Sequence, residues 1–148
     1  SMTDEGTLIK DMYIQPYGTI RNLPRIGHEL VLDTELEKVE WYGRGPGENY
    51  PDRKNSTLVG YYEGNVSDDE FYIFPQEYGS HQDVRWIKLT DGKRNQVYLS
   101  SNRLIAFSVR RETDRLLSEK LNISELKQKK GAVLELDYAV SGLGNASC

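Results

Sequence analysis

Two pairs of carboxylates, Glu48 with Asp52 and Glu77 with Asp83, stand close enough in sequence for loops to bring each pair within about 5 Å, the separation a retaining glycosidase uses. In that chemistry one carboxyl protonates the leaving oxygen while the other attacks the sugar. Acidic residues number 23 in this chain of 148, however, and most such pairs on a protein surface are solvated or salt-bridged. Neither pair is read as a catalytic dyad, and Asp68-Asp69-Glu70 reads as a charged turn. His28 and His81 have no Cys, His or carboxylate at metal-ligand spacing, so no metal site is expected. No serine sits in a Gly-x-Ser-x-Gly elbow, and Cys148 is the only cysteine, at the last position. Gly43-Arg44-Gly45-Pro46-Gly47 fits neither phosphate-binding loop pattern. The expected number of catalytic residues in this chain is therefore none.

Binding chemistry has better support. Sugar rings stack their C–H faces on Trp and Tyr while edge hydroxyls bond to Asn, Asp, Glu and Arg. Trp41, Tyr42, Tyr50, Tyr78 and Trp86 all neighbour such groups. Alternation assigns Trp41 and Trp86 to strands, as core or interface residues, and leaves Tyr50 and Tyr78 on loops as exposed ligand candidates. The segment from Tyr42 to Arg53 carries three glycines and two prolines, which forbid helix and interrupt a sheet ladder. It reads as a long structured loop in which Arg44, Glu48, Asp52 and Arg53 pair among themselves.

The elements that position these residues are short and β-rich. Strands are expected around Leu8–Ile14, His28–Leu32, Val39–Tyr42, Leu58–Tyr62, Phe71–Phe74, Val84–Leu89, Gln96–Leu99, Leu104–Val109 and Val133–Val140. The last of these alternates as though one face were wet and the other buried. Asp91-Gly92 reads as a hairpin turn. Leucine spacing between Glu112 and Lys130 predicts one short helix, capped by Thr113 or Asp114. A single all-β domain, an antiparallel β-sandwich, is the fold expected. Ser1-Met2 reads as a tag remnant, residues 1–7 as a disordered N-terminus and residues 8–148 as the domain. A net charge of −4 with scattered basic residues argues against nucleic acid, and no apolar run is long enough for a membrane helix. A soluble chain with neutral polar ligands is the expectation.

Four words in order resemble the small-chain domain of β-galactosidases in glycoside hydrolase family 2. They are Leu23-Pro24-Arg25-Ile26-Gly27, the run from Val39 through Trp41-Tyr42-Gly43-Arg44-Gly45-Pro46-Gly47-Glu48-Asn49-Tyr50-Pro51-Asp52 to Arg53, Pro75-Gln76-Glu77-Tyr78-Gly79, and Asp83-Val84-Arg85-Trp86. The resemblance implies a large retaining enzyme whose two catalytic glutamates lie on a (β/α)₈ barrel, followed by a galactose-mutarotase-like β-supersandwich of which this chain is the second half. Any divalent or monovalent cations of the parent are then bound by other domains, with no cofactor in this fragment. The remaining parent domains become its partners, with the β-galactoside substrate in the intact enzyme, and an incomplete sheet edge implies self-association. The family's closing loop corresponds to Asp137 through Cys148; some members carry a tryptophan where Cys148 stands, so Asn145 and backbone remain as sugar contacts. Carbohydrate-facing candidates are Arg25, Tyr50, Glu77, Tyr78 and Asn145. Arg44, Glu48, Asn49, Asp52, Arg53, Asp83 and Arg85 are expected to fix loops. On this reading the fragment alone is inactive and architectural; the competing reading is a free-standing carbohydrate-binding β-sandwich module.

Overall fold

Segments in which β-branched and aromatic residues alternate with polar ones pair side by side, because away from water their amides are satisfied only by a neighbouring strand. The computed structural model describes residues 6–19, 23, 25–32, 35–66, 78–113 and 131–140. Within them lie β1 (Arg25–Leu32), β2 (Lys38–Gly45), β3 (Leu58–Asn65), β4 (His81–Thr90), β5 (Gln96–Arg110) and β6 (Ala132–Val140). All six join one antiparallel sheet in the order β1-β6-β5-β4-β2-β3. The described residues are all-β, as their patterning implies, and the sheet is consistent with a β-sandwich.

One face of the sheet packs the core. Leu36, Val39, Ile87, Leu89, Phe107 and Leu134 are among its members, with Trp41 at the centre. The indole lies 4.5 Å from the His81 ring, 5.6 Å from Tyr62 and 5.7 Å from Phe107, centroid to centroid. His81 is thus a buried packing residue, and among the described residues no group of three potential metal ligands occurs.

Several expectations change. Leu8–Ile14 is not a strand: apart from one isolated bridge at Leu8 the segment is irregular and exposed. β2 runs on through Gly45, pairing Gly43 with Gly60 and Gly45 with Leu58, so the glycines do not end the ladder. They allow close approach instead. A Cβ on Gly43 would meet Val84 Cα at 2.9 Å, and one on Gly45 would press on the Tyr62 ring at 2.7 Å. The two strands expected at Gln96–Leu99 and Leu104–Val109 are one, β5, whose first part pairs with β4 and whose last part pairs with β6. The polar residues between them form a bulge: Trp86 and Val84, two apart on β4, face Ser100 and Ile105, five apart on β5. Asp91-Gly92 begins a longer turn in which Asp91 Oδ1 accepts the amides of Lys93, Arg94 and Asn95 at 2.8–3.1 Å. Phe71–Phe74 and the helical pattern over 114–130 lie outside the described residues.

The supposed wet face of β6 is also buried. Glu135 and Asp137 are each 3% exposed, because β6 lies between β1 and β5 and cations from both strands close over the carboxylates. Arg110, 1% exposed, pairs through Nη2 with Glu135 Oε1. Its Nη1 donates to Ser108 Oγ at 3.0 Å and to the Tyr78 carbonyl at 3.3 Å, and its Nε to the Glu112 carbonyl at 3.2 Å. Arg25 completes the cluster, 3.3 Å from Glu135 Oε2 and 3.2 Å from Asp137 Oδ1.

Removing one partner of a buried pair leaves an uncompensated charge, at a cost of about 3–5 kcal/mol. Arg110→Met is expected to lower the urea midpoint by that equivalent with an unchanged slope. Arg110→Met with Glu135→Leu should recover much of the loss; a double variant no more stable than the single one would show that the charge is not the cause.

Candidate functional site

Leaving β2, the chain crosses from Pro46 to Thr57 before β3 begins, and its shape is set by side chains that satisfy backbone groups. Trp41 Nε1 donates to the Arg44 carbonyl at 3.0 Å, tying the loop's entry to the core. Arg44 then spans the loop, donating to the carbonyls of Lys54 at 3.2 Å and Thr57 at 2.8 Å. Asn49, fully buried, accepts the Gln82 amide at 2.9 Å and donates to the Gly47 carbonyl at 3.1 Å. Its own amide reaches the Ser80 carbonyl at 2.6 Å. Glu48 accepts the Gly79 amide at 2.8 Å through Oε2 and pairs with Arg53 through Oε1.

Asp83 is the anchor on β4. Its carboxylate takes Arg44 Nε at 2.5 Å and Lys54 Nζ at 2.8 Å. Burial pushes this carboxyl's pKa up, but the two cations more than reverse the effect and hold it below 3.8. Asp83 also has φ of 55°, a left-handed conformation that Asp tolerates better than most residues. Arg85 donates to the Asp83 carbonyl at 2.5 Å and lies over the Tyr42 ring at 5.4 Å.

A cleft of about 240 Å³ opens beside this brace, between Pro51 and Lys54 of the loop, Gln82 and Asp83 of β4, and Asp137 and Tyr138 of β6. Small-molecule pockets usually enclose roughly 300–1,000 Å³, so this one is small, and Leu104, Ile105 and Val140 add apolar lining to it.

The residues singled out from sequence divide clearly. Arg44, Glu48, Asn49, Arg53, Asp83 and Arg85 come together in the brace, whereas Asp52 is exposed on the turn after Pro51. Arg25 is engaged with Glu135 and Asp137. Tyr50 and Tyr78 need correcting as exposed loop tyrosines: they are 0% and 1% exposed. Arg53 lies over the Tyr50 ring at 5.1 Å and Arg110 over the Tyr78 ring at 5.4 Å, and Tyr78 donates to Glu112 Oε2 at 3.0 Å. Rings enclosed in this way offer no stacking face. Glu77, Gln76 and Asn145 lie outside the described residues. Sequence reading missed Arg110, Glu112 and Glu135; the one signal for Arg110 and Glu135 was charge inside otherwise apolar strands, whereas Glu112 follows the end of β5.

Both oxygens of Glu48 accept from groups of the protein itself, which ties the loop to Gly79 and Arg53. The chain spans about an eighth of the length of the curated relatives it matches. The chain is 31% identical over 128 residues to a β-galactosidase of Kluyveromyces lactis, covering 86% of this chain but 12% of that protein. A β-galactosidase of an Arthrobacter species is 34% identical over 131 residues, 84% of this chain and 13% of the relative. β-Galactosidase 2 of Enterobacter cloacae is 33% identical over 144 residues, 97% of this chain and again 13% of the relative. The model of the family described as β-galactosidase small chain matches residues 2–148, and the chain belongs to that family.

Proposed function

We propose that this chain is a non-catalytic C-terminal part of a retaining β-galactosidase, in which it shapes the substrate cleft and the contacts with other domains or subunits. The parent hydrolyses terminal β-D-galactosides by double displacement, with nucleophile and acid/base both supplied from outside these residues. Cations, where the parent uses them, belong to its other domains. The observation that carries the reading is the occupancy of the loop carboxylates. Glu48 and Asp83 spend their oxygens on Gly79, Arg53, Arg44 and Lys54, which gives a rigid polar loop but no free acid or nucleophile among them. A rigid polar loop beside a shallow cleft suits the wall of a site completed by other parts of a longer polypeptide. Among the described residues β1 and β3 are the outermost strands of the sheet, and they are where such parts or a second copy would add.

The purified chain should not cleave a fluorogenic β-galactoside above background. Turnover abolished by Glu48→Gln or Glu77→Gln would overturn the architectural reading.

The brace itself has an expected pH signature. Because the folded-state pKa of Asp83 is depressed, its stabilisation is fully present above the unfolded value near 3.8 and is lost as pH falls through the lower folded value. Asp83→Asn, which keeps the left-handed conformation accessible, should lower Tm at pH 7 and shrink the wild-type excess in stability as pH drops below about 4. Asp83→Ala should be less stable than Asp83→Asn by about 1 kcal/mol, from backbone strain. Equal stability of wild type and Asp83→Asn at pH 7 would remove the brace from the account.

A further inference from the structure

The face of the sheet opposite the core carries rings where solvent-facing strands normally carry charges. Tyr61 of β3 is 55% exposed and Tyr98 of β5 61% exposed, with half-buried Trp86 of β4 between them. The Trp86 ring is 6.0 Å from Tyr61 and 6.0 Å from Tyr98, at interplanar angles of 46° and 29°. Rings 6.0 Å apart and inclined by 29° and 46° do not cover one another face to face, so each keeps open surface. Tyr42 of β2, under the guanidinium of Arg85, widens the row.

One ring of the row is also pinned. Tyr61 donates to Glu40 Oε2 at 2.9 Å while Lys88 donates to Glu40 Oε1 at 3.0 Å, a chain of contacts across β3, β2 and β4. Those two hydrogen bonds, Lys88 first, hold the Glu40 carboxyl below its ordinary range. Rings held in place before a ligand arrives lose little freedom on binding.

The chemistry of the surroundings selects the occupant. Centres of protein interfaces are depleted in charge, but here the rings alternate with Glu40, Lys88, Gln96 and Ser100, register neighbours on the same face. An aromatic surface threaded with donors and acceptors matches a ligand that is apolar on its ring faces and polar at its edges. Glu40 and Glu63 are interspersed with Lys88, Lys38 and Arg85, so no block of one sign forms and the face favours an uncharged one. The rings twist relative to one another, as the strands beneath them do, which fits a soluble chain that turns rather than a flat crystalline surface.

We propose that the outer face of β3, β2, β4 and β5 is a binding platform for a neutral, soluble hexose oligosaccharide, with Tyr61, Trp86 and Tyr98 stacking against successive sugar rings. This site is separate from the loop and cleft, and independent of the architectural role above, which turnover tests.

The chain has two tryptophans, so a ¹⁵N-labelled sample yields two indole N–H signals. Trp41, buried and bonded to the Arg44 carbonyl, is the internal control for Trp86. On titration with β-1,4-galactotetraose or cellotetraose, the Trp86 signal should move while that of Trp41 stays. Galactose alone should bind about tenfold more weakly than the better tetrasaccharide, because it occupies one ring of the row. Trp86→Ala and the more exposed Tyr98→Ala should each weaken tetrasaccharide binding about tenfold, with an unmoved Trp41 signal reporting an intact fold. The proposal is overturned if neither tetrasaccharide shifts Trp86 at millimolar concentration, if both indoles move together, if chain length makes no difference, or if Tyr98→Ala binds like wild type. It is equally overturned if sedimentation shows a second copy covering this face, broken by Tyr98→Ala.

Discussion

Arg110 carries a charge that no protein environment removes, and it is sealed at 1% exposure. Sealing it is possible because each arm of the guanidinium finds an oxygen: the Glu135 carboxylate on β6, Ser108 on its own strand, and the carbonyls of Tyr78 and Glu112. Those partners carry its influence outward. Through Glu135 the cluster reaches Arg25 and so fixes β1 beside β6; through Tyr78 it fixes the residues that lead into Gly79 and Ser80. Gly79 and Ser80 are in turn where Glu48 and Asn49 attach the loop. One buried cation therefore links the far edge of the sheet to the loop that walls the cleft. An apolar replacement of the cluster could match its stability, but it would not specify which carbonyl sits where.

The loop shows how ionisable groups can serve to hold backbone in place. The oxygens of Glu48 and Asp83 accept from the Gly79 amide and from Arg53, Arg44 and Lys54. Their contribution is positional: the left-handed turn at Asp83 and the fully buried Asn49 convert backbone polarity that would otherwise need water into a fixed shape.

Much of this was legible in the residues. Period-two alternation located β1, β2, β3, β4 and β6, and the density of Arg, Asn, Glu and Asp around the glycines marked the loop as held by side chains. Three things were hidden, each for a physical reason. Burial of Glu135 and Asp137 depends on Arg110 and Arg25, which lie 25 or more positions away from Glu135 in sequence, so alternation in β6 alone looked half wet. The glycines of β2 read as breakers because their cause, the Val84 and Tyr62 side chains pressing against them, comes from neighbouring strands. Tyr50 and Tyr78 looked exposed because loops usually are, yet guanidinium groups from Arg53 and Arg110 lie over both rings.

Trp86 belongs to the same class, and it shows what the bulge of β5 opposite β4 accomplishes. In a regular strand Val84 and Trp86 would share a face, and Trp86 would enter the core. The register shift opposite β5 breaks that rule: Val84 is buried against Gly43, whereas Arg85 and Trp86 both lie on the other side, one over Tyr42 and one between Tyr61 and Tyr98. Four consecutive residues thereby meet four different demands. Asp83 braces the loop, Val84 fills the core, Arg85 orders a neighbouring ring and Trp86 joins the outer row. A strand without the irregularity would set these requirements against one another, since period two admits only two faces; the extra residues of β5 at Ser101–Leu104 relieve that conflict, and they are why the aromatic surface and the braced loop coexist on one strand.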